Sequence, residues 1–295
     1  MPIRSLKKRI KNRYFSFLSL EQARRITPKP YLDSIGFELA SHCNLHCYSR
    51  DHFSQLSKSG YYDLEQFERD CKRLYELSSG VITSFTLFGG EPLLNKQCAS
   101  YFAILHQIFP KSTIYVITNG TLLLKQSDRF WQSARENQVV LQATKYPIEI
   151  DWEQVKEKCA KEQVQFVFYN DEKEEKLSFK TQLDKDGRSD PFVSFVHCHR
   201  ANACTQIHNG KIYPCAVAAN AKAFNQAFGQ DLQSSPKDYI DIYDSKMTYE
   251  KILDFLARPI PFCRYCRQRI WSISLGARQR EVLMSIFRLT LCATR

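Results

Sequence analysis

Apolar positions along this chain switch repeatedly between two periods. Residues 35–40 and 81–88 form short, β-rich apolar runs, the pattern of buried strands. Between them, Leu64, Phe67, Cys71, Leu74 and Leu77 recur at steps of three and four, which predicts a helix over 63–78. Asp63 suits its N-cap, with Gln66 three places on. The alternation continues with helices over 97–109, 122–136 and 153–163 and strands over 112–118, 139–144 and 164–169. Strand, loop and helix repeating in this way predict parallel βα units. Right-handed crossovers make such units an open α/β sheet or a partial barrel. Polar, glycine-containing loops follow residues 40, 88 and 118. In these folds that edge of the sheet carries the chemistry.

Near residue 186 the pattern changes. Histidines and cysteines cluster, and periodicity fades until 248–257. The division expected is a basic arm over 1–30, an α/β body over 31–185, a cysteine-rich extension over 186–270 and a tail over 271–295. The charge run 171–176 reads as a solvated turn. In the tail, Val282, Leu283, Ile286, Phe287 and Leu291 form a weak apolar face suited to core packing.

Composition narrows the classes. With 295 residues and 43% hydrophobic content, the chain can bury a sizeable core. No apolar run approaches the roughly 20 residues of a membrane span, and the N-terminus lacks the apolar stretch and cleavage site of a signal peptide. The net charge of +11 is concentrated at the ends. Residues 1–25 hold eight Lys/Arg against Glu21 alone, and residues 263–295 hold seven Arg against Glu281 alone. The body between them leans acidic, so it is not a basic groove for nucleic acid. Eleven cysteines without an export signal point to a reducing, cytoplasmic setting and to metal rather than disulfides.

Those cysteines fall into groups. Cys43 and Cys47 stand in a loop directly after the first strand. The next strand ends in Gly89-Gly90-Glu91-Pro92 and the third in Thr118-Asn119-Gly120. Two glycines let backbone approach closely, whether to a ligand or simply in a strand-end turn. A plain βα turn accounts for Thr118 and Asn119 as readily as ligand contact does, and the same holds for Gln142 and Thr144 on the fourth strand. Farther on, Cys198 is followed after eleven residues by Gly210 and after four more by Cys215, and Cys263 and Cys266 form a C-x2-C knuckle. A hairpin at Gly210-Lys211 would bring cysteines at its two ends together. Cys198 or Cys204, with Cys215, Cys263 and Cys266, then makes a four-thiolate site for an iron–sulfur cluster or for zinc. Cys71, Cys98, Cys159 and Cys292 sit on helical stretches and read as small core residues. His197, His199 and His208 read as surface or hydrogen-bonded histidines.

Together, the cysteine loop, the Gly-Gly-Glu-Pro turn and the third strand end resemble the radical S-adenosylmethionine (SAM) superfamily over about residues 31–170. The later cysteines resemble the auxiliary-cluster pattern of a Twitch, or shortened SPASM, domain. The resemblance implies a partial (β/α)6 barrel of the TIM type with a cysteine-rich extension. It implies a [4Fe–4S] cluster on Cys43 and Cys47, and SAM contacts at Gly89, Gly90, Glu91, Pro92, Thr118, Asn119 and Thr144, with Glu91 orienting the SAM amino group. It implies a deoxyadenosyl radical that modifies a small-molecule or peptide substrate, electrons from a flavodoxin or ferredoxin, and an auxiliary cluster. This chain departs from the family at one decisive position. The C-x3-C-x2-C spacing calls for a third cysteine at position 50, and Arg50 stands there. A guanidinium stays protonated and has no lone pair for iron. His46, Asp51 and His52 have the wrong spacing to replace it.

Two readings follow, an active radical SAM enzyme and a disabled relative that keeps the fold and an auxiliary iron–sulfur or zinc site for binding or scaffolding. Arg50 separates them. A third, a nucleic-acid-binding zinc protein using the basic ends, fits poorly with the acidic-leaning body, and a salt-dependent gel shift tests it.

Overall fold

A computed structural model of the chain describes residues 18–47, 51–169 and 177–275; Arg50, Cys292, the charge run 171–176, most of the basic arm and the tail face at 282–291 lie outside them. A short helix α1 (Leu20–Arg25) opens the described chain, closed at its N-terminus by a Ser19–Gln22 capping box. Then β1 (Ser34–Ala40), α2 (Leu64–Ser78), β2 (Ser84–Gly89), α3 (Cys98–Ile108), β3 (Thr113–Thr118), α4 (Asp128–Glu136), β4 (Val139–Ala143), α5 (Trp152–Lys161) and β5 (Gln165–Phe168) alternate. Asp63 caps α2 as expected, accepting from the Gln66 N–H. The helix expected over 122–136 is split. A single 3-10 turn (Leu123–Lys125) comes first, and Ser127 then starts α4 by accepting from the Phe130 N–H.

The remaining elements are β6 (Leu177–Leu183), α6 (Pro191–Val196), β7 (Gln206–His208), β8 (Lys211–Tyr213), α7 (Ala216–Phe228), β9 (Ile240–Asp241), α8 (Tyr249–Leu256) and β10 (Cys266–Leu275). Eight strands form one sheet in the order β5-β4-β3-β2-β1-β7-β8-β9. Neighbours from β5 to β7 run parallel, and β7-β8-β9 run antiparallel. The fold class is therefore the α/β class with a mostly parallel sheet, and among the described residues the sheet does not close. Because β7 pairs with β1, this sheet continues past residue 186. Strand β6 pairs antiparallel with β10 in a separate two-stranded sheet. The β7–β8 turn falls on Asn209 and Gly210, one residue earlier than expected, and both have positive φ (47° and 75°). That pair of angles is the tight hairpin geometry that asparagine and glycine tolerate best.

One face of the large sheet carries the core. Phe37 and Leu39, Phe85 and Leu87, Ile114 and Val116, and Val139 and Leu141 pack against Phe67, Tyr101, Trp131 and Val155 of the helices. Alternate strand positions face the other way, and there Thr86, Tyr115, Gln142 and His208 are only half-buried. A sheet covered on both faces would be apolar on both. This second face is the more polar one. A smaller cluster of Val217, Ala221, Phe224, Ile260, Phe262 and Tyr265 forms a second core around the later cysteines. Cys71, Cys98 and Cys159 are buried in helices of the main core, as expected of small core residues. No helix among the described residues is long and apolar enough to cross a membrane.

Candidate functional site

The C-terminal ends of β1, β2 and β3 meet at one place. Gly90 N–H donates to the carbonyl of Ala40 and Glu91 N–H to that of His42, at 2.8 and 3.1 Å. A Cβ on Gly89 would collide with the Ala40 carbonyl, and one on Gly90 with the backbone of His42 and Cys43. The two glycines therefore admit the cysteine loop itself, which lies directly on the β2 turn.

Glu91 is fully buried. Its carboxylate accepts from the Thr118 hydroxyl (2.7 Å), the Leu93 N–H (3.2 Å) and the Asn119 N–H (2.8 Å). The side chain is thus turned towards the end of β3. Pro92 begins the 3-10 turn that follows. The side chain of Asn119 continues the network. Its Nδ2 donates to Asn44 Oδ1 at 2.8 Å and lies 3.9 Å from Cys43 Sγ, while its Oδ1 accepts from the N–H and hydroxyl of Thr121. Asn44 Nδ2 in turn donates to the Thr121 hydroxyl at 2.8 Å. The half-buried Cys43 sulfur also receives the Leu45 N–H at 3.4 Å. N–H donors around a sulfur tune any metal it holds. Cys47 is buried at the end of the same loop. Thr144 is buried beside Thr118, tied through its N–H to the Thr118 carbonyl.

Sequence reasoning placed Cys43, Gly89, Gly90, Glu91, Thr118 and Asn119 at one edge, and there they are joined in one network. It missed Asn44 and Thr121. The signal available was their place beside the cysteine and the Asn-Gly turn, where short polar side chains bond nearby backbone and one another. Of the residues considered in place of a third cysteine, His46 is exposed, Asp51 pairs with Arg200, and His52 Nδ1 lies 3.3 Å from Gln206 Nε2.

The second group shares a cavity. Cys198, Cys215, Cys263 and Cys266 line one cavity of about 30 Å³, with Phe195, Pro214 and Phe262 among the rest of its wall. Cys204 is exposed and lies outside that wall. Each cysteine has its own support. Asp190 caps α6, and the turn after it carries Cys198, whose N–H reaches the Phe195 carbonyl. Cys215 is the N-cap residue of α7. Buried Asp238 accepts from the Phe262 N–H and from Ser235, fixing the turn that bears Cys263. Ser194 donates its hydroxyl to the Cys266 carbonyl. Burial pushes the Cys263 thiol up to about 12 and those of Cys215 and Cys266 well above the usual range. Without a metal these thiols are protonated, and a bound metal would displace their protons. Among the described residues, no three His, Cys, Asp or Glu side chains are gathered closely enough to hold a single metal ion.

No family model matches the chain, and no curated protein matches it. Solved structures give distant likenesses. BtrN in complex with AdoMet and 2-DOIA is 15% identical, over 87% of this chain and 99% of that one, with a TM-score of 0.48. Native anSMEcpe with bound AdoMet is 15% identical, over 88% and 95%, with a TM-score of 0.48. Streptococcus suis SuiB bound to S-adenosylmethionine is 12% identical, over 76% and 66%, with a TM-score of 0.37. With each of these TM-scores below 0.5, the functional reading rests on this chain's own residues.

Proposed function

We propose that the chain is an iron–sulfur protein of the radical SAM kind, with a SAM and cluster site at the β1–β3 strand ends and an auxiliary thiolate site in the C-terminal cavity. The observation that carries this reading is the contact between the cysteine loop and the Gly89-Gly90-Glu91 turn. It sets Cys43 at the edge of an open α/β sheet, with N–H donors around its sulfur.

In this reading Cys43 and Cys47 are ligands, and Cys198, Cys215, Cys263 and Cys266 hold the auxiliary group. Glu91 is a positioning residue. Its carboxylate fixes Thr118 and Asn119, and Asn119 fixes Asn44 beside the cysteine, so contacts to SAM fall to the backbone of the turn. Thr144 supports the same rim. When bound, an iron–sulfur cluster supplies the electron that splits SAM. The more polar face of the sheet would take the substrate, a small molecule or peptide, and a flavodoxin or ferredoxin would supply electrons.

Arg50 favours a second reading. With arginine at the third ligand position, the primary site is incomplete and the protein acts as a binding or scaffold relative with only the auxiliary site loaded. Anaerobic reconstitution with iron and sulfide decides between them, on this chain, on Arg50→Cys and on Cys263→Ser/Cys266→Ser. About four irons and no SAM cleavage in the wild type, rising to about eight with 5′-deoxyadenosine in Arg50→Cys, establish the second reading. Cleavage by the unaltered chain establishes the first. An iron content unmoved by the Cys263/Cys266 pair removes the auxiliary site from both, and zinc in its place makes that site structural.

A further inference from the structure

Three consecutive residues after the first cysteine loop each grip a different part of the molecule. Asp51 pairs with Arg200, which is only 4% exposed and donates through Nε at 2.5 Å and through a second guanidinium nitrogen. The His52 ring lies 3.3 Å from Gln206 of β7 and packs on Phe88, the residue before Gly89, at 4.7 Å between centroids. Phe53 takes a positive φ of 50° and sets its ring 5.2 Å from Phe224 of α7, inside the second core.

Arg200 is not an arbitrary partner. It lies between Cys198 and Cys204, and both Cys198 and Ala201 line the four-thiol cavity. Its carbonyl accepts the Cys204 N–H at 3.0 Å, which closes the turn around it. A guanidinium this buried needs its counter-charge, because an unpaired buried cation is far costlier than a paired one. One turn of chain and one ion pair therefore connect the cavity wall to Asp51, four positions after Cys47.

We propose that Arg200 is a positioning residue through which the C-terminal thiol cavity sets the place of the Cys43–Cys47 loop. A change in the cavity that moves Cys198 drags Arg200, and with it Asp51. The two cysteine groups are then mechanically linked parts of one device, and the second governs whether the first is held ready. This consequence rests on reading Cys43 and Cys47 as a ligand pair. The linkage itself is read from thiol reactivity in the metal-free protein, so each can fail while the other stands.

The experiment is a timed iodoacetamide pulse on the full chain under reducing, metal-free conditions, with each cysteine quantified by peptide mass spectrometry. Arg200→Met and Asp51→Asn should each speed modification of Cys47 at least tenfold, and the double variant should add little to either. Arg200→Lys, which keeps a cation in reach of Asp51, should restore protection to within about threefold of the wild type. Cys71, Cys98 and Cys159, deep in the main core, should stay slow throughout. An unchanged Cys47 rate in both single variants overturns the proposal, and so does failure of the lysine variant to protect. If both single variants open Cys47 only together with the three core thiols, Arg200 serves folding rather than the loop, and the proposal is likewise overturned.

Discussion

Glu91 accepts the backbone N–H of Asn119 at 2.8 Å, and this one contact ties the turn after β2 to the end of β3. The same carboxylate takes the Thr118 hydroxyl and the Leu93 N–H, all in a fully buried place. Glu91→Gln keeps the shape but turns an amide NH2 towards groups that are themselves donors. A buried donor left unsatisfied, with a charge-assisted bond lost, should lower stability by about 2 to 3 kcal/mol. Thr118→Val removes one donor and should cost about 1 kcal/mol. Urea midpoints measure both, and a Glu91→Gln midpoint equal to the wild type would show that the carboxylate does not hold the strand ends.

Two glycines with different surroundings give a paired test. A Cβ on Gly90 meets backbone atoms of His42 and Cys43, which cannot swing aside. Gly90→Ala should cost about 1 to 3 kcal/mol by overpacking and should lift the cysteine loop off the turn. Gly229 ends α7 with a φ of 59° and nothing within 4 Å of its would-be Cβ. Gly229→Ala should cost only the left-handed backbone penalty of about 1 kcal/mol and leave the loop untouched. Iodoacetamide reactivity of Cys43 distinguishes the two variants, since only Gly90→Ala should raise it.

The strand ends and their motifs were legible because backbone geometry alone brings them together. Once strands β1, β2 and β3 are parallel neighbours, residues 43, 90 and 119 share an edge whatever their side chains do. The choice between Cys198 and Cys204 as a cavity-lining thiol was not legible. The turn at Arg200 points one into the cavity and leaves the other exposed, and the Arg200 side chain in that turn pairs with Asp51, well over a hundred positions earlier in the chain. Pairing of β6 with β10 was hidden for the same reason, since a short run shows its period but not its distant partner. Two adjacent glycines fit a strand-end turn or a ligand contact equally in sequence, and only the closeness of Ala40, His42 and Cys43 shows which backbone they admit.

Asp70 is the residue whose importance the sequence conceals most. It sits one position before Cys71 on a helix otherwise read by its apolar face, yet it is fully buried. It accepts from the hydroxyls of Tyr62 and Tyr243, the Gln66 side chain and the Gly210 N–H, all between 2.6 and 2.9 Å. It therefore fastens α2 to the β7–β8 hairpin that leads to Cys215. Burial, then the Asp70 charge, pushes the Tyr62 phenol well above its ordinary range, so it stays a donor at every working pH. Asp70→Ala strands four donors and should cost about 3 kcal/mol or more. Tyr243→Phe, at the half-exposed end of the network, should cost about 1 kcal/mol. Denaturant unfolding checks the order, and equal losses would mean that the network is not centred on Asp70.

His208 should give the fold an acid-sensitive limb. Its ring lies on the more polar face of the sheet, with Nε2 3.2 Å from Gln206 Oε1 and Nδ1 3.7 Å from Glu38 Oε2. Lys211 is its neighbour across the hairpin, and Tyr213 packs beside it. Burial pushes the imidazole down to about 4 from its usual 6.5. The folded protein thus keeps the ring neutral where the unfolded chain already binds a proton. Stability from this group is complete above about pH 6.5 and is lost as pH falls from there towards 4, by up to about 3 kcal/mol. His208→Gln, which keeps a hydrogen-bonding side chain without the titration, should flatten that limb. Urea midpoints at pH 7, 6 and 5 measure it. A wild type that gains stability from His208 on acidification would carry the opposite message: the Glu38 carboxylate holds an imidazolium there, and the pair is ionic rather than neutral.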